Sequence, residues 1–346
     1  MISQDLHKTN TSPSLADGGI YFRLIALWVF CEAMLGGIIH GFKIPVSGLV
    51  VGSSAVICIC LIGWYAPARG AILKATLIVA VFKMMLSPQA PPTAYIAVFF
   101  QGLLGELLLR NKKYYRAACL SLAILALLES AMQRILVLTI IYGNDFWQVL
   151  NDSIYSFGGQ AGTDYSFFLI TWYVLVHLIA GVLVGVWAGI LPQRIALLNR
   201  LQEQYPVPAA ATPPLRALQT KKRNTARIFF FIIWIVLLVL YLQSVLDPPQ
   251  ALLPTHVSLR ILARSFIIIL SWYFFIGPLL RKFLQRWLQQ KQRQSARQVE
   301  QVMGQLPWIQ HLVLQSWRLA AHKSGLKRVR LCCRIILANT FHNVRT

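Results

Sequence analysis

Ionisable side chains interrupt several apolar stretches of this chain, where a charge is costly and marks a candidate functional site. They are Glu32, His40, Lys74, Lys83, Glu106, Glu129, Arg134 and His177. A buried acid and a buried base can neutralise each other, or together hold a polar ligand. The predicted pairs are Glu32 with Lys83, and Glu129 with a lysine. Glu129 and Arg134 are separated by about 140° around a helix and therefore do not face each other.

These residues are open to two interpretations, structural neutralisation within a helix bundle or contact with a ligand. Lys74 and Glu106 lie close to one predicted membrane surface, where long side chains extend to water, and are the weaker candidates. His177 lies in mid-span, where a lone histidine is more often packed and hydrogen-bonded than bound to a metal. The ligand-binding candidates are Glu32, His40, Lys83, Glu129, Arg134 and His177, with Trp147 from a neighbouring loop.

No catalytic motif accompanies the charged residues. The sequence contains no Gly-x-Ser-x-Gly, no His-Glu-x-x-His and no Gly-x4-Gly-Lys-Ser/Thr phosphate loop. Cys58-x-Cys60 has the wrong spacing for a zinc knuckle and no matching second pair. We therefore expect a protein that is not an enzyme and holds no metal or other cofactor. It is also not expected to hydrolyse ATP through a phosphate loop of its own.

The elements that must position these residues are membrane helices. Hydrophobic residues make up 57% of the 346 residues and charged residues 13%, with a mean hydropathy of +0.59. This composition excludes a soluble enzyme, a disordered chain and a secreted disulfide scaffold. We predict an all-α polytopic bundle of about eight transmembrane helices, since a span needs about 20 apolar residues. The spans are residues 20–42, 45–66, 70–87, 93–109, 116–142, 166–191, 228–246 and 258–280.

The third and fourth of these stretches are short and interrupted by polar residues, so whether they cross the membrane fully stays open. Positive charge orients the bundle. Lys and Arg number 33 against 11 Asp and Glu, and 26 of the 33 fall on one side when loops alternate. Because an excess of Lys and Arg marks the cytoplasmic side, we predict an integral protein of the cytoplasmic (inner) membrane with both termini in the cytoplasm.

The chain divides into three predicted parts. Residues 1–191 form a six-helix domain, and residues 192–227 form a Pro-rich basic cytoplasmic linker of semi-extended character. Residues 228–346 hold two transmembrane helices and a cytoplasmic tail. The outer loop 143–165 carries aromatic residues and two adjacent glycines, so it is either a lid over an external pocket or an ordinary solvated loop.

The tail has the pattern of basic amphipathic helices. Pro307 is predicted to break the first of them. Apolar stripes follow, with i, i+3, i+4 spacing: Ile309, Leu312, Val313, Ser316, Trp317 and Ala320, then Leu326, Val329, Cys333, Ile336 or Leu337, and Phe341. Such helices lie on the anionic inner leaflet or present an apolar face to a protein groove. The membrane surface is slightly favoured, and nucleic acid is not an expected partner.

Small residues recur every four positions in three of the predicted helices. This spacing places them on one helix face, where another helix can approach closely. The alternatives are packing within the bundle and docking against a separate membrane partner. The residues are Ala33, Gly37 and Gly41 in the first helix, Gly48 and Gly52 in the second, and Gly181, Gly185 and Gly189 in the sixth.

Two segments of residues 20–191, together with the six spans and their short cytoplasmic joins, point to a known family. The segments are Ile44-Pro45-Val46-Ser47-Gly48-Leu49-Val50-Val51-Gly52 and Pro91-Pro92-Thr93-Ala94-Tyr95. This part of the chain resembles the substrate-binding component of energy-coupling-factor vitamin transporters. The resemblance implies a bundle that captures a vitamin or metal ion from outside, and topples when a scaffold driven by two ATPases pulls on it. Metal-specific members carry a histidine where Ile2 stands here, so a metal substrate is disfavoured.

Residues 228–346 are similar to a shortened scaffold component, although its Ala-Arg-Gly coupling signature is absent from them. The resemblance implies ATPase contacts by basic tail residues, and the candidates are Arg297, Arg318, Lys323 and Arg328. The expected function is capture of a small-molecule substrate, a vitamin or precursor, coupled to ATP-binding-cassette ATPase subunits supplied in trans. A membrane scaffold subunit and anionic lipid are further candidate partners. The alternative is a membrane scaffold or assembly protein without a ligand, whose basic tail recruits a cytoplasmic partner.

Overall fold

The computed structural model describes residues 15–36, 47–87, 90, 92–156, 164–207, 261–262, 265–266, 268 and 277–341. Every regular element within these residues is a helix. The helices are α1 (Leu15–Val29), α2 (Ser47–Tyr65), α3 (Ala71–Leu86), α4 (Pro92–Leu108), α5 (Tyr115–Tyr142), α6 (Asp145–Ser156), α7 (Tyr165–Gln204), α8 (Gly277–Gln294), α9 (Ala296–Leu319) and α10 (Gly325–Phe341). A π-helical turn, Phe30–Leu35, continues α1, and a 3-10 turn, Lys112–Tyr114, precedes α5.

Three of the described helices are long and apolar enough to cross a membrane. They cover Gly48–Tyr65, Lys112–Tyr142 and Tyr165–Ile195, which match the second, fifth and sixth predicted spans. Helices α3 and α4 have 16 and 17 residues and are shorter, as expected. Most of the seventh and eighth predicted spans lies outside the described residues. The all-helical class is therefore confirmed, with helices able to cross a membrane, and the total of eight spans stays a prediction.

The most extensive contact between two described helices joins α5 and α7. Gly181, Gly185 and Gly189 of α7 lie directly against the α5 backbone. A Cβ atom built on Gly185 would lie 2.6 Å from the Cα atom of Leu120, nearer than real side chains approach. Because backbone cannot move aside as a flexible side chain can, only glycine permits this spacing of the two helices.

The small residues of α2 are also used inside the bundle. Gly48 and Gly52 face α5 at Ser130 and Leu127, respectively. Ala33, in the turn that follows α1, is only 3% exposed. Of the two alternatives for the small residues, packing within the bundle is therefore the one that these positions and the α7 glycines adopt.

Helix α7 continues past the predicted end of the first domain. It runs through Pro192 to Gln204, so the prediction of an extended linker is wrong for this segment. Ile195 and Leu198 provide the reason, because they are 7% and 5% exposed and join the hydrophobic core. A proline inside a helix removes one backbone hydrogen bond, and this burial offsets the loss. The remainder of the linker, residues 208–227, lies outside the described residues.

Helices α8, α9 and α10 pack against the first part of the chain. Helix α9 lies on α1, α10 lies on α7, and α8 lies on α3. Pro307 lies inside α9, so the predicted break is wrong: a buried stripe continues on both sides of the proline and holds the helix together. The stripe consists of Val299, Val302, Leu306, Ile309, Leu312 and Ser316. Its apolar members share a core with Leu24 and Trp28 of α1. The apolar face of α9 therefore packs against another helix of its own chain.

The predicted apolar stripe of α10 is wrong at Leu326, Val329 and Cys333, which are exposed, and is confirmed at Leu337, which is buried. Leu326 and Val329 are 87% and 46% exposed, whereas Cys332 and Ile335 are buried. A polar contact contributes to this burial pattern, because the Asn339 amide accepts from and donates to backbone groups at the end of α7. Tertiary contacts with α7 therefore decide which face of α10 is buried. On which side of the membrane α8–α10 lie stays a prediction.

The α5–α7 contact predicts that a Gly-to-Ala substitution destabilises the protein at the contact but not at a helix position with open space around it. Gly185→Ala should destabilise the protein by about 1–3 kcal/mol, because the added methyl overpacks the interface against the α5 backbone. Gly304→Ala is the matched control: it lies within α9, has no atom within 4 Å of its Cβ position, and should gain up to about 1 kcal/mol of helix propensity. Thermal unfolding midpoints in detergent measure both. A Gly185→Ala protein as stable as the control would contradict the contact.

Candidate functional site

A buried ion pair joins the end of α1 to α3. Glu32 lies in the π-helical turn, and its Oε2 accepts a hydrogen bond of 2.7 Å from Lys83 Nζ. The Glu32 and Lys83 side chains are 3% and 8% exposed. Lys83 Nζ also donates to the Ala94 carbonyl of α4 at 3.3 Å. The predicted Glu32–Lys83 pair is therefore confirmed, and it sits at a rare π-helical turn, a feature that is frequent at functional sites.

Neutral hydrogen bonds support the helices around this pair. Ser87 Oγ, just past α3, donates to the Ala33 carbonyl at 2.8 Å, next to Glu32 in the chain. Gln133 Nε2 of α5 donates to the Thr93 carbonyl of α4 at 3.1 Å. These polar groups gather at the end of the bundle where α3 finishes and α4 begins. The distribution of Lys and Arg along the sequence predicts that this end of the bundle faces the outside of the cell.

Among the buried polar atoms that lack a hydrogen-bond partner in the described residues, four lie on α2, α4, α5 and α7. They are Ser53 Oγ on α2, Gln101 Oε1 on α4, Glu129 Oε2 on α5 and His177 Nε2 on α7. Gln101 reaches α2 beside Ser53, because its Nε2 lies 3.7 Å from the Cβ position of Gly52. Buried polar atoms without a partner are uncommon, and each is a place where a ligand, water or ion can bind.

The sequence-based candidates did not include Ser53 or Gln101. Neither side chain is ionisable, so a search for charges inside apolar stretches passes over both. The signal that points toward them is Gly52, since a glycine at a close helix contact leaves room for a longer polar side chain from the neighbouring helix. Gln101 is 3% exposed, so its amide is enclosed by protein.

His177 is oriented by its own helix. Its Nδ1 lies 2.9 Å from the Tyr173 carbonyl, and its ring lies 4.4 Å from the Tyr173 ring. A carbonyl only accepts hydrogen bonds, so Nδ1 carries the proton and Nε2 is left as a buried acceptor. The described residues contain no group of three His, Cys, Asp or Glu side chains suited to a metal ion. His177 is therefore a packed, hydrogen-bonded histidine with one acceptor available.

The remaining charged candidates are not brought to the ion pair by any contact among the described residues. Glu129 forms no salt bridge in the described part of the chain, so its predicted lysine partner is not found there. Arg134 is exposed. His40, Gly37 and Gly41 lie outside the described residues.

Glu106 has a structural role at the start of α3. Its Oε1 accepts a hydrogen bond of 2.6 Å from the Gly70 N–H. Its Oε2 accepts from the N–H groups of Ile72 and Leu73 at 3.1 Å and 3.4 Å. A carboxylate at a helix N-terminus satisfies the free N–H groups and the positive end of the helix dipole. Lys74, on the same helix, is exposed, and neither residue contributes to the ion pair.

The predicted outer loop contains a helix, α6, which packs on α5 and α7. Trp147 Nε1 donates to Thr139 Oγ1 at 3.1 Å, so this ligand-binding candidate anchors α6 to α5. Asp164 Oδ1 caps α7 by accepting from the Phe167 N–H at 3.0 Å, and it also accepts from Asn151 Nδ2 of α6 at 2.9 Å. The bonds from the Phe167 N–H, Asn151 and Ser166 hold the pKa of the Asp164 carboxyl below its usual value.

The coupling candidates lie on α9 and around the start of α10. Arg297, Arg318 and Lys323 are exposed. The Arg328 guanidinium instead lies over the Trp317 ring at 4.1 Å and donates to the Trp317 carbonyl at 3.1 Å. Three of the four candidates are therefore accessible to a partner, and Arg328 holds α10 against α9.

The ion pair predicts that each partner depends on the other. Glu32→Gln and Lys83→Met should each lower the free energy of unfolding by about 3–5 kcal/mol, because each leaves one buried charge unpaired. The double variant Glu32→Gln/Lys83→Met should recover part of this loss, since no lone charge remains. Unfolding in mixed micelles measures the effects, with Lys74→Met, an exposed cation of the same helix, as the control. Additive losses in the double variant would contradict the pairing.

The cap of α7 predicts how α6 is held. Asp164→Ala should increase deuterium uptake in α6 at neutral pH, because it removes the acceptor that Asn151 uses. Since the folded-state pKa of Asp164 is lowered, the native cap is complete at neutral pH and is lost only as the pH falls through that lowered value. Asp152→Ala, an exposed carboxylate of α6 itself, is the control. Equal uptake in the two variants would show that the cap does not hold α6.

Comparison with known proteins adds no functional assignment to this geometry. No family model matches the chain, no curated protein is significantly similar to it, and no solved structure matches it. The function is therefore argued from the residues and contacts of this chain and from the resemblance of its sequence segments.

Proposed function

We propose that the chain is the membrane component of an energy-coupling-factor-type uptake transporter that captures a small polar molecule, a vitamin or precursor. The observation that carries the proposal is the buried Glu32–Lys83 pair at the predicted outer end of the bundle. Charges in an apolar, lipid-embedded bundle are expensive and commonly mark substrate sites. ATP-binding-cassette ATPases supplied in trans provide the energy, because the sequence has no phosphate loop.

The pair also suggests the chemistry of the substrate. Glu32 and Lys83 neutralise each other at 2.7 Å, so a ligand that replaces this contact must satisfy both a carboxylate and an ammonium group. A molecule with a carboxylate and a hydrogen-bond donor or cation meets this condition. Ser53 and Gln101 offer further polar atoms deeper in the bundle. The substrate class favoured by these groups is a zwitterion or polar acid of vitamin size.

The packing of α8–α10 supports a coupling role for the tail. Helix α9 lies on α1 and α8 lies on α3, the two helices that the Glu32–Lys83 contact joins. Movement of the tail therefore acts on the helices that carry the pair. Arg297, Arg318 and Lys323 are exposed and are the residues proposed to contact ATPases. The predicted inner-membrane location and cytoplasmic termini belong to this proposal.

The same exposed cations favour the second candidate, a scaffold or assembly protein without a ligand. In that case the tail recruits a cytoplasmic partner, and the ion pair contributes only to the stability of the bundle. The two candidates differ in what the Glu32–Lys83 pair does, and this difference is measurable.

A binding screen tests the proposal. The full chain in nanodiscs is titrated with vitamins and their precursors, and the thermal midpoint is recorded. A ligand at 100 times its dissociation constant should add about 2.7 kcal/mol to stability. Glu32→Gln/Lys83→Met should abolish this ligand-induced shift, and Lys74→Met should retain it. No ligand-induced shift, together with no co-purifying ATPase, would overturn the proposal.

Tail substitutions separate the two candidates. The scaffold function is supported by two results together. The tail variant Arg297→Gln/Arg318→Gln/Lys323→Gln loses a protein that co-purifies with the unchanged chain, and the pair variant Glu32→Gln/Lys83→Met retains that protein. If both changes abolish uptake of the identified molecule, the transport function is supported. Lys74→Met is again the control, since it removes a cation that is exposed and remote from the tail in sequence.

A further inference from the structure

An open cleft of about 490 Å³ lies at the end of the bundle opposite the Glu32–Lys83 pair. Its lining is basic and aromatic, and none of the lining residues is acidic. The residues are Trp64, Lys112, Lys113, Tyr114, Tyr115, Arg116, Ala117, Gly189, Pro192 and Gln193. Neither the ligand-binding nor the coupling candidates include any of them.

Three helices build the cleft. The end of α2 provides Trp64, which packs edge-on against Tyr115 with ring centroids 4.7 Å apart. Helix α7 approaches α5 most closely at its glycines, and Gly189 leaves its Cβ position 3.3 Å from the Cα atom of Arg116. Gly189 therefore lets the two backbones meet beside the cleft, and it contributes to the cleft lining together with Trp64 of α2.

The cations of the cleft are held by specific contacts. Lys112 Nζ lies over the Trp64 ring at 5.4 Å. Arg116 Nη2 donates to Gln193 Oε1 at 2.8 Å, which fixes the guanidinium between α5 and α7 and leaves its other donors unused by this bond. An ordered guanidinium is well suited to the planar, paired recognition of phosphate oxygens. Lys112, Lys113 and Arg116 are all exposed to solvent, and these contacts orient Lys112 and Arg116 at the cleft.

The first turn of α5 adds to the positive potential. The turn before it is closed by Asn111, whose side chain accepts from the Lys113 N–H at 3.0 Å. Tyr114, at the N-cap of α5, makes no side-chain capping bond. The positive end of the helix dipole therefore faces the same region as the cations, an arrangement that favours an anion.

We propose that this cleft binds a phosphate ester, namely the headgroup of an anionic phospholipid in the inner leaflet. Lys112, Lys113 and Arg116 engage the phosphate, and Trp64 with Tyr114 forms the interfacial aromatic wall. Sequence orientation places this end of the bundle at the cytoplasmic surface, where anionic lipids attract Lys and Arg. Tryptophan and tyrosine are enriched at the same depth. The lipid site does not depend on the proposed transport function.

Native mass spectrometry of the full chain, titrated with phosphatidylglycerol and phosphatidylcholine, tests the proposal. Lys112→Gln/Lys113→Gln/Arg116→Gln should weaken binding of the first phosphatidylglycerol by about tenfold or more. Arg297→Gln/Arg318→Gln/Lys323→Gln removes the same charge from exposed tail positions and should change that binding less than about twofold. Binding of phosphatidylcholine, which has no net charge, should be similar in all three proteins.

If phosphatidylglycerol binding weakens equally in the two triple variants, or weakens in neither, the proposal is overturned. A further arm adds glycerol 3-phosphate as a soluble phosphate ester. If glycerol 3-phosphate binds the unchanged protein but not the cleft variant, while the two proteins bind phosphatidylglycerol equally, the lipid assignment is overturned and a soluble phosphate ligand in the same cleft is supported. If the cleft triple variant does not fold, Lys113→Glu replaces it, because Lys113 is exposed and its reversal should still give the tenfold weakening.

Discussion

The described helix bundle depends most on the backbone contact between α5 and α7. Lipid tails are as apolar as leucine, so helices in a membrane associate through close packing of small residues rather than through hydrophobic burial. Gly185 meets this need, since its Cβ position lies 2.6 Å from the Leu120 Cα atom. Gly189 continues the same contact and lies in the lining of the basic cleft. Further along these helices the contact encloses polar atoms of Glu129 and His177 within the bundle.

Burying the Glu32–Lys83 pair among close-packed helices lowers the stability that the bundle would otherwise have. Separating a buried pair from water costs several kcal/mol per ion, and well-packed apolar residues in its place are often as stable or more so. Stability alone therefore does not explain a charged pair at 2.7 Å among apolar helices. The unsatisfied atoms of Ser53 and Gln101 point in the same direction, because they too cost free energy without a compensating bond. A polar ligand would use both features.

The sequence allowed prediction of those features that a strong local constraint determines. Glu32 and Lys83 were predictable as partners because few opposite charges lie inside the apolar stretches, and unpaired ones are costly. The close helix contacts at small residues were predictable because a four-residue spacing places small side chains on one helix face, where a neighbouring helix packs closely. The helical continuation through Pro192 and the intact α9 at Pro307 were not predictable, since burial of Ile195 and of the α9 stripe outweighs the local penalty of proline. Ser53 and Gln101 depend on which helices meet, which no local pattern encodes.

The net charge of +22 has more than one physical role. The apolar face of α9 is already used against α1, so what the tail offers to a partner is charge rather than an apolar stripe. Arg297, Arg318 and Lys323 are exposed, as is expected for contacts that form and break. Lys112 and Arg116 are exposed too, but each has a contact within the protein, with Trp64 and Gln193 respectively. Because ordering a long side chain costs conformational entropy, cations ordered before binding hold an anion more tightly than free ones. The oriented cleft cations therefore suit retention at the membrane surface, and the tail cations suit reversible recruitment.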